Sequence, residues 1–433
     1  AYYLISRSLG PEMGGAIGVC FFLANSVGIS FYMQGFTDTL GELLQLDVTD
    51  PSTYWLKLAM AGACLTCETV VAIVGSGLYA KCAGLLNVIQ LSTISFAVTA
   101  LFFRGESAPF TWTAPDPHGV NMTFEYAGPS WALFHENLYP EYSEGNDYAV
   151  VFKTIFPALT GMFAGANMSG VLKRPEIAIP KGTLTAIAVS STIYCLVVLS
   201  LGCSVPRKTL KNEYLILSKV VWYQPAVNFG ILSTSAAAAL ASMQSAARVI
   251  QAVSLDNMLP ALSFLQWECN DEPVAAIFLS VGIGGGLLFI GDLDLIAPIL
   301  TMFFLLTYCL TNVACLVHRI SGHPNFRPMF QFFTWHTALL GALICAGTMF
   351  FLDWRYTLVA ILLVIALCVL IVQQNTKNAG QSWGDVSQSL IFHQVRKYLL
   401  RLDTDGAHAK FWRPQFMVVT QGGPCGLVSA LEF

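Results

Sequence analysis

Charged residues are scarce in this sequence. Asp, Glu, Lys and Arg together make up 11% of the 433 residues, whereas soluble domains average about 25%. Hydrophobic residues account for 55%. These values exclude an ordinary soluble globular domain, and the formal net charge of -4 argues against nucleic acid as a partner.

Recognisable catalytic motifs are also lacking. The sequence has no paired carboxylates, nucleophile elbow, phosphate-binding loop or HExxH motif. Most of its 12 cysteines fall within apolar runs, and only Cys203 is expected near an outer surface, so no disulfide framework is predicted. The Gly284-Gly285-Gly286 run is interpreted as a helix-packing or bending feature. We therefore expect neither an enzyme nor a cofactor.

Long apolar runs dominate what is present, and their length predicts helices that cross a lipid bilayer. The expected fold is an all-α polytopic membrane protein. We expect crossings at roughly 14–39, 56–77, 80–103, 151–172, 183–204, 227–253, 273–292, 295–317, 334–352 and 355–373.

The chain becomes polar near its end, which divides it into a transmembrane domain (1–376) and a soluble region (377–433). Residues 384–402 show helical spacing of apolar positions, and 415–420 read as a strand before a glycine-rich turn. This region is interpreted as the beginning of an α/β cytosolic domain.

The long loop 104–150 sets the expected orientation. It carries acidic residues but no Lys or Arg after Arg104, and positive charge resists translocation. It also contains a glycosylation sequon at Asn121, whereas a second sequon at Asn167 falls inside a crossing. We therefore expect this loop outside, a glycan on Asn121, and both termini in the cytosol.

The crossing at 151–172 is interrupted at its centre by Gly161, Gly165, Asn167, Ser169 and Gly170. Unpaired backbone survives at membrane depth only where it is buried in protein or lines a wet cavity. Two half-helices also present amides and carbonyls that can hold an anion and a cation. The break therefore predicts an ion site.

Full charges are few within the crossings: Glu68 lies in the second, and Asp292 and Asp294 lie at a boundary. A site made mainly of backbone and neutral oxygens suits ions such as potassium and chloride. Tyr32 and Tyr308 are polar-tipped aromatics in other crossings.

Several segments resemble the cation-chloride cotransporters, solute carrier family 12. YYLISRSLGPEMGGAIG opens the chain, FPALTGMFAGANMSG is similar to the family's broken sixth helix, and AIPKGTLTAI follows at the family's spacing. The resemblance implies the amino acid-polyamine-organocation (LeuT-like) fold of two inverted five-helix repeats, with the family's first two helices absent from these 433 residues.

Site residues follow from the same resemblance. It implies a potassium site at Tyr32, Pro157 and Thr160, and a chloride site at the amides of Gly161, Met162 and Phe163 with the hydroxyl of Tyr308. The remaining ligands would come from the family's first helix, so these 433 residues alone are expected to be inactive.

One departure from the family pattern concerns sodium. Sodium-dependent members place two adjacent serines on the eighth helix, where GILSTSAAAALASM has Ala237 and Ala238. A methyl group cannot ligate a cation, so sodium independence is expected.

The resemblance leaves two functions open: electroneutral potassium-chloride symport, with ammonium or a small organic cation as variant substrates, or a non-transporting partner that regulates related cotransporters. It implies a homodimer, or a heteromer with related cotransporters, in contact with membrane lipid. The family's usual location is the plasma membrane, with endosomal and lysosomal membranes left open.

Overall fold

The computed structural model describes residues 2, 5–6, 11–44, 46, 51–103, 109–115, 121–143, 145–167, 172–213, 215–256, 260–269, 272–291, 293–321, 330, 333–375 and 395. The chain divides into two compact units, Ala1–Gly384 and Asp385–Phe433. The predicted helix at 384–402, apart from Val395, and the predicted strand at 415–420 lie outside the described residues.

Long apolar helices account for most of the first unit. In chain order its elements are α1 (Pro11–Leu43), α2 (Pro51–Val74), α3 (Ser76–Phe103), β1 (Phe110–Pro115), β2 (Asn121–Tyr126), α4 (Trp131–Asn137), α5 (Tyr148–Ile155), a 3-10 turn (Phe156–Leu159), α6 (Ala164–Asn167), α7 (Pro175–Ser204), α8 (Arg207–Asn212), α9 (Ile216–Val220), α10 (Gln224–Leu255), a 3-10 turn (Pro260–Gln266), α11 (Val274–Leu287), a 3-10 turn (Leu288–Ile290), α12 (Leu293–Ser321), α13 (Trp335–Leu352) and α14 (Trp354–Asn375).

The predicted all-α polytopic fold is confirmed. Within the described part of the chain, nine segments are long and apolar enough to cross a membrane. The crossing expected at 273–292 is the exception: its apolar helical stretch, Val274–Ile290, is shorter. Gly291 ends it in the left-handed conformation, with φ of 72°.

Helix α1 forms the centre of the bundle and packs against α10, α11, α12 and α14. Its side chains Ile29 and Met33 are fully buried. The crossing with α11 is close, because a Cβ on Gly284 would lie 3.0 Å from both the Ser26 carbonyl oxygen and the Ile29 Cβ. Such close approach between apolar helices needs glycine, which confirms helix packing as the role of this position in the Gly284–Gly286 run.

Two loops fold together at one face of the bundle. We call them the cap, defined as residues 109–115, 121–143 and 205–213. Strands β1 and β2 pair antiparallel with Phe110 opposite Tyr126, and the buried Tyr126 hydroxyl donates a 2.7 Å hydrogen bond to the Leu101 carbonyl. Because Arg207 forms an ion pair with Glu141, the loop after α3 and the loop after α7 lie on the same face.

Candidate functional site

The predicted break in the crossing at 151–172 is present in the described residues. Helix α5 gives way to the 3-10 turn that contains Pro157, and α6 begins at Ala164. Pro157 has no backbone N–H and so interrupts the helical ladder. Gly165 and Asn167, predicted as part of the interruption, instead lie in α6, and Ser169 and Gly170 lie outside the described residues.

Backbone geometry at the break depends on Gly161. Its φ of 96° is a conformation that glycine adopts at little cost. The Thr160 amide donates to the Pro157 carbonyl at 3.3 Å, and the Ala164 amide donates to the Gly161 carbonyl at 2.9 Å. A short non-helical stretch from Thr160 to Phe163 therefore separates two half-helices.

Three oxygen atoms assigned to the cation by resemblance meet on one side of the break. The Thr160 hydroxyl donates to the Pro157 carbonyl oxygen at 2.7 Å. The Tyr32 hydroxyl, from α1, lies 3.3 Å from the Thr160 hydroxyl. Residues 128 positions apart in the chain thus form a compact corner of neutral oxygens, which we call the oxygen corner.

The backbone residues assigned to chloride follow Thr160 directly in the chain, and Tyr308 packs against the last of them. The Phe163 ring packs edge-on against the Tyr308 ring, with their centroids 5.0 Å apart. Tyr308 is 5% exposed, and its hydroxyl makes no hydrogen bond of normal geometry within the described residues. The Gly161 backbone is nevertheless near enough to interact with that hydroxyl.

A buried hydroxyl that does not donate its proton is energetically unfavourable, and that unused donor is available to an anion. Met162 is more exposed, at 39%. A Cβ placed on Gly161 would have no atom within 4 Å in the described part of the chain. Space therefore adjoins Gly161 and Met162 in the described part of the chain.

Helix α10 passes α1 in antiparallel fashion near the level of Tyr32. A Cβ on Gly28 would lie 3.4 Å from the Ser242 hydroxyl, and one on Gly35 would lie 3.8 Å from the Ser235 hydroxyl. These two contacts bracket Tyr32 on α1, and on α10 they bracket Ala237 and Ala238.

Both alanines are half-buried and present methyl groups at this level. Hydroxyls one turn away are used by their own helix: Ser233 donates to the Phe229 carbonyl at 2.7 Å, and Thr234 donates to the Gly230 carbonyl at 2.8 Å. These two hydroxyls therefore satisfy backbone groups of α10.

One contact at the break was missed by sequence reasoning. The Tyr194 hydroxyl, from α7, donates a 2.8 Å hydrogen bond to the Ala158 carbonyl within the 3-10 turn. Nothing in the sequence distinguishes this tyrosine from one at a membrane interface, because the contact depends on how α7 packs.

Comparison with known proteins places these observations in context. The amino acid permease family profile matches residues 1–418. The chain is 36% identical over 448 residues to solute carrier family 12 member 9 of Danio rerio, which covers 99% of the chain and 50% of the relative. It is also 36% identical over 444 residues to vacuolar cation-chloride cotransporter 1 of Saccharomyces cerevisiae, which covers 96% of the chain and 37% of the relative.

The human solute carrier family 12 member 9 is 33% identical over 450 residues, covering 100% of the chain and 49% of the relative. The chain therefore spans half or less of the length of these three relatives.

Proposed function

Because the chain belongs to the amino acid permease family and its relatives are cation-chloride cotransporters, we propose that it forms part of a sodium-independent potassium-chloride symporter. The family is one of membrane transporters. The proposal concerns the complete protein, since the relatives are about twice as long as this chain.

The oxygen corner carries the potassium part of the proposal. The Thr160 hydroxyl lies within hydrogen-bonding distance of both the Pro157 carbonyl and the Tyr32 hydroxyl. Neutral oxygens can replace part of the hydration shell of a potassium ion without holding it too tightly for release. Three oxygens replace only part of that shell, so we propose that the 433 residues alone do not transport.

The Tyr308 hydroxyl, which donates no hydrogen bond within the described residues, supports the chloride part. An anion there would accept a hydrogen bond from this hydroxyl and further hydrogen bonds from the amides of Gly161, Met162 and Phe163. Both ions would then lie at one break in the helix. Movement of one cation with one anion is electroneutral, so the membrane potential does no net work on the pair.

Sodium independence is proposed from Ala237 and Ala238. Both stand on α10 near the level of Tyr32, and neither methyl can coordinate a cation. The nearby hydroxyls of Ser233 and Thr234 donate to their own helix.

For the membrane arrangement, we propose a multi-pass protein with the cap outside the cytosol, a glycan on Asn121 and both termini in the cytosol. The acidic loop 104–150 supports this orientation. The family resemblance supports the plasma membrane, with endosomal or lysosomal membranes as alternatives, a homodimer or a heteromer with related cotransporters, and a role in chloride and potassium homeostasis and cell volume.

Ammonium is a second candidate cation. The oxygen corner offers neutral oxygen acceptors, and ammonium is close to potassium in size. These oxygens can therefore bind either ion.

Paired uptake of radioactive rubidium and radioactive chloride tests the proposal. The complete protein is reconstituted into vesicles, and each flux is measured with the other ion or sodium removed. We expect rubidium uptake that requires chloride and is unchanged when sodium is replaced by an organic cation. Sodium-dependent uptake would contradict the interpretation of Ala237 and Ala238. No uptake of rubidium, ammonium or chloride under any ionic condition would favour a non-transporting regulator.

A further inference from the structure

Tyr194 connects α7 to the break. Its hydroxyl lies 2.8 Å from the Ala158 carbonyl oxygen, although the two residues are 36 positions apart in the chain. Tyr194 also lies near enough to Tyr32 for their phenol groups to interact electrostatically. The contact therefore sits beside the oxygen corner, on the helix that leads away from the break.

The Ala158 carbonyl needs such a partner. It lies in the 3-10 turn Phe156–Leu159, whose closing backbone bond runs from the Thr160 amide to the neighbouring Pro157 carbonyl. A carbonyl at membrane depth without a donor costs several kcal/mol. The Tyr194 hydroxyl supplies that donor.

The two adjacent carbonyls consequently have different side-chain partners. Pro157 accepts from the Thr160 hydroxyl at 2.7 Å, and Ala158 accepts from Tyr194 at 2.8 Å. Both carbonyls belong to one 3-10 turn, which is closed by the bond from the Thr160 amide to the Pro157 carbonyl. A bond that holds the Ala158 carbonyl stabilises the helical φ and ψ of residue 158, and these two angles set the direction of the Pro157 carbonyl relative to it.

Tyr194 also lies at one end of a cleft of about 810 Å³ between α3 and α7. Lys181, near the start of α7, also lines this cleft. Thirteen residues of helix separate the two, which corresponds to about 20 Å. The end of α7 lies beneath the cap, so the cleft leads from the oxygen corner toward the opposite face.

We propose that Tyr194 is a positioning residue for the cation site. Its hydroxyl holds the Ala158 carbonyl, and this holds the Pro157 carbonyl and the Thr160 hydroxyl in the arrangement that faces Tyr32. The inference rests on the proposed cation transport and adds a residue on α7 to it.

A rigid corner also supports discrimination between cations. Oxygens fixed in place favour the ion whose radius and geometry match their spacing, whereas a loosened turn adapts to several ions. Loss of the Tyr194 hydroxyl should therefore weaken the preference for rubidium over the smaller sodium ion, in addition to weakening binding.

Tyr194→Phe tests the inference, because it removes one oxygen and keeps the ring. Tyr54→Phe is the matched control: its hydroxyl donates to the Phe289 carbonyl at 2.9 Å, an equivalent bond between α2 and the turn after α11. Both variants are made in the complete protein, and rubidium-chloride uptake is measured in vesicles.

For Tyr194→Phe we expect about a fivefold rise in the KM for rubidium, with the KM for chloride and the maximal rate within about twofold of wild type. The preference for rubidium over sodium, measured by competition, should fall, and Tyr54→Phe should change none of these values. This split separates positioning of the cation site from a general packing role.

An unchanged rubidium KM and cation preference in Tyr194→Phe would overturn the inference while wild-type transport leaves the proposed function standing. Equal-fold rises in the KM for rubidium and the KM for chloride, together with an equal-fold fall in the maximal rate, would also overturn it, because they would indicate a merely structural contact. A wild-type protein that carries no cation would overturn both.

Discussion

Replacing Thr160 with valine tests the oxygen corner directly. Valine has the same branched shape as threonine but no hydroxyl, so the change removes the oxygen that lies 3.3 Å from Tyr32 and donates to Pro157 at 2.7 Å. The backbone bond from the residue 160 amide to the Pro157 carbonyl remains, which preserves the turn.

The size of the effect follows from the chemistry of a neutral dipole facing an ion. Net interactions of polar groups with charged groups contribute about 1.5–3 kcal/mol, which corresponds to about a 10- to 150-fold change in affinity. We expect the KM for rubidium to rise within that range. The KM for chloride should change less, because the Thr160 hydroxyl faces Tyr32 and Pro157.

Thr154→Val provides the control in the same crossing. Thr154 lies on α5, and its hydroxyl donates to the Val150 carbonyl at 3.1 Å in an exposed position. Rubidium uptake at varied rubidium and fixed chloride should be unaffected by this change. A Thr160→Val protein whose rubidium KM stays within about twofold of wild type would refute the assignment of this hydroxyl to the cation.

Three further predictions concern other parts of the molecule. Tyr308→Phe should raise the KM for chloride about 10-fold or more and leave thermal stability unchanged or higher, because its hydroxyl has no normal hydrogen bond to lose. Asn121→Gln should remove one glycan from the protein made in eukaryotic cells, detected by gel mobility, whereas Asn167→Gln should not change mobility. In the cap, hydrogen bonding from Arg207 lowers the pKa of Glu141 below its ordinary value of 4.5. The ion pair between Arg207 and Glu141 should therefore persist at pH 4.5 and be lost on further acidification, which a rise in hydrogen exchange of the cap amides would report.

Control variants accompany the Tyr308 and Glu141 predictions. Tyr126→Phe removes a hydroxyl that is bonded to the Leu101 carbonyl at 2.7 Å, so it should lower stability by about 1 kcal/mol and leave the chloride KM unchanged. A lowered carboxyl pKa stabilises the folded state above the unfolded value, and the contribution disappears as the pH falls through the folded value. Glu141→Gln should therefore abolish the acid-induced rise in exchange; persistence of that rise would contradict the role of Glu141.

Hydropathy was sufficient to predict the bundle, because bilayer thickness fixes the length of apolar runs. The break was located from residue type: proline lacks a backbone N–H and glycine adopts positive φ at little cost, and Pro157 and Gly161 keep these properties in any context. Which of residues 156–167 leave the helix was less predictable, because Gly165 and Asn167 lie in the helical turn that follows Gly161.

Tertiary contacts account for what sequence reasoning did not find. The cap was expected only as a loop, although the alternation of Phe124 and Tyr126 with polar neighbours is a signal for a half-buried strand. Tyr194 had no comparable signal, because its hydrogen bond to Ala158 arises where α7 packs beside the break. The burial of the Tyr308 hydroxyl likewise arises from packing, since its ring lies against Phe163.

Coupling between the two ions is the central claim, and a chloride gradient tests it most directly. Vesicles containing the complete protein are equilibrated with equal rubidium inside and outside, without sodium, and with the membrane potential clamped at zero. Chloride is then raised outside only. Electroneutral coupling predicts that the inward chloride gradient drives rubidium transiently above its equilibrium level inside the vesicles. Rubidium that remains at equilibrium while chloride enters, or that moves only when a potential is imposed, would contradict electroneutral symport.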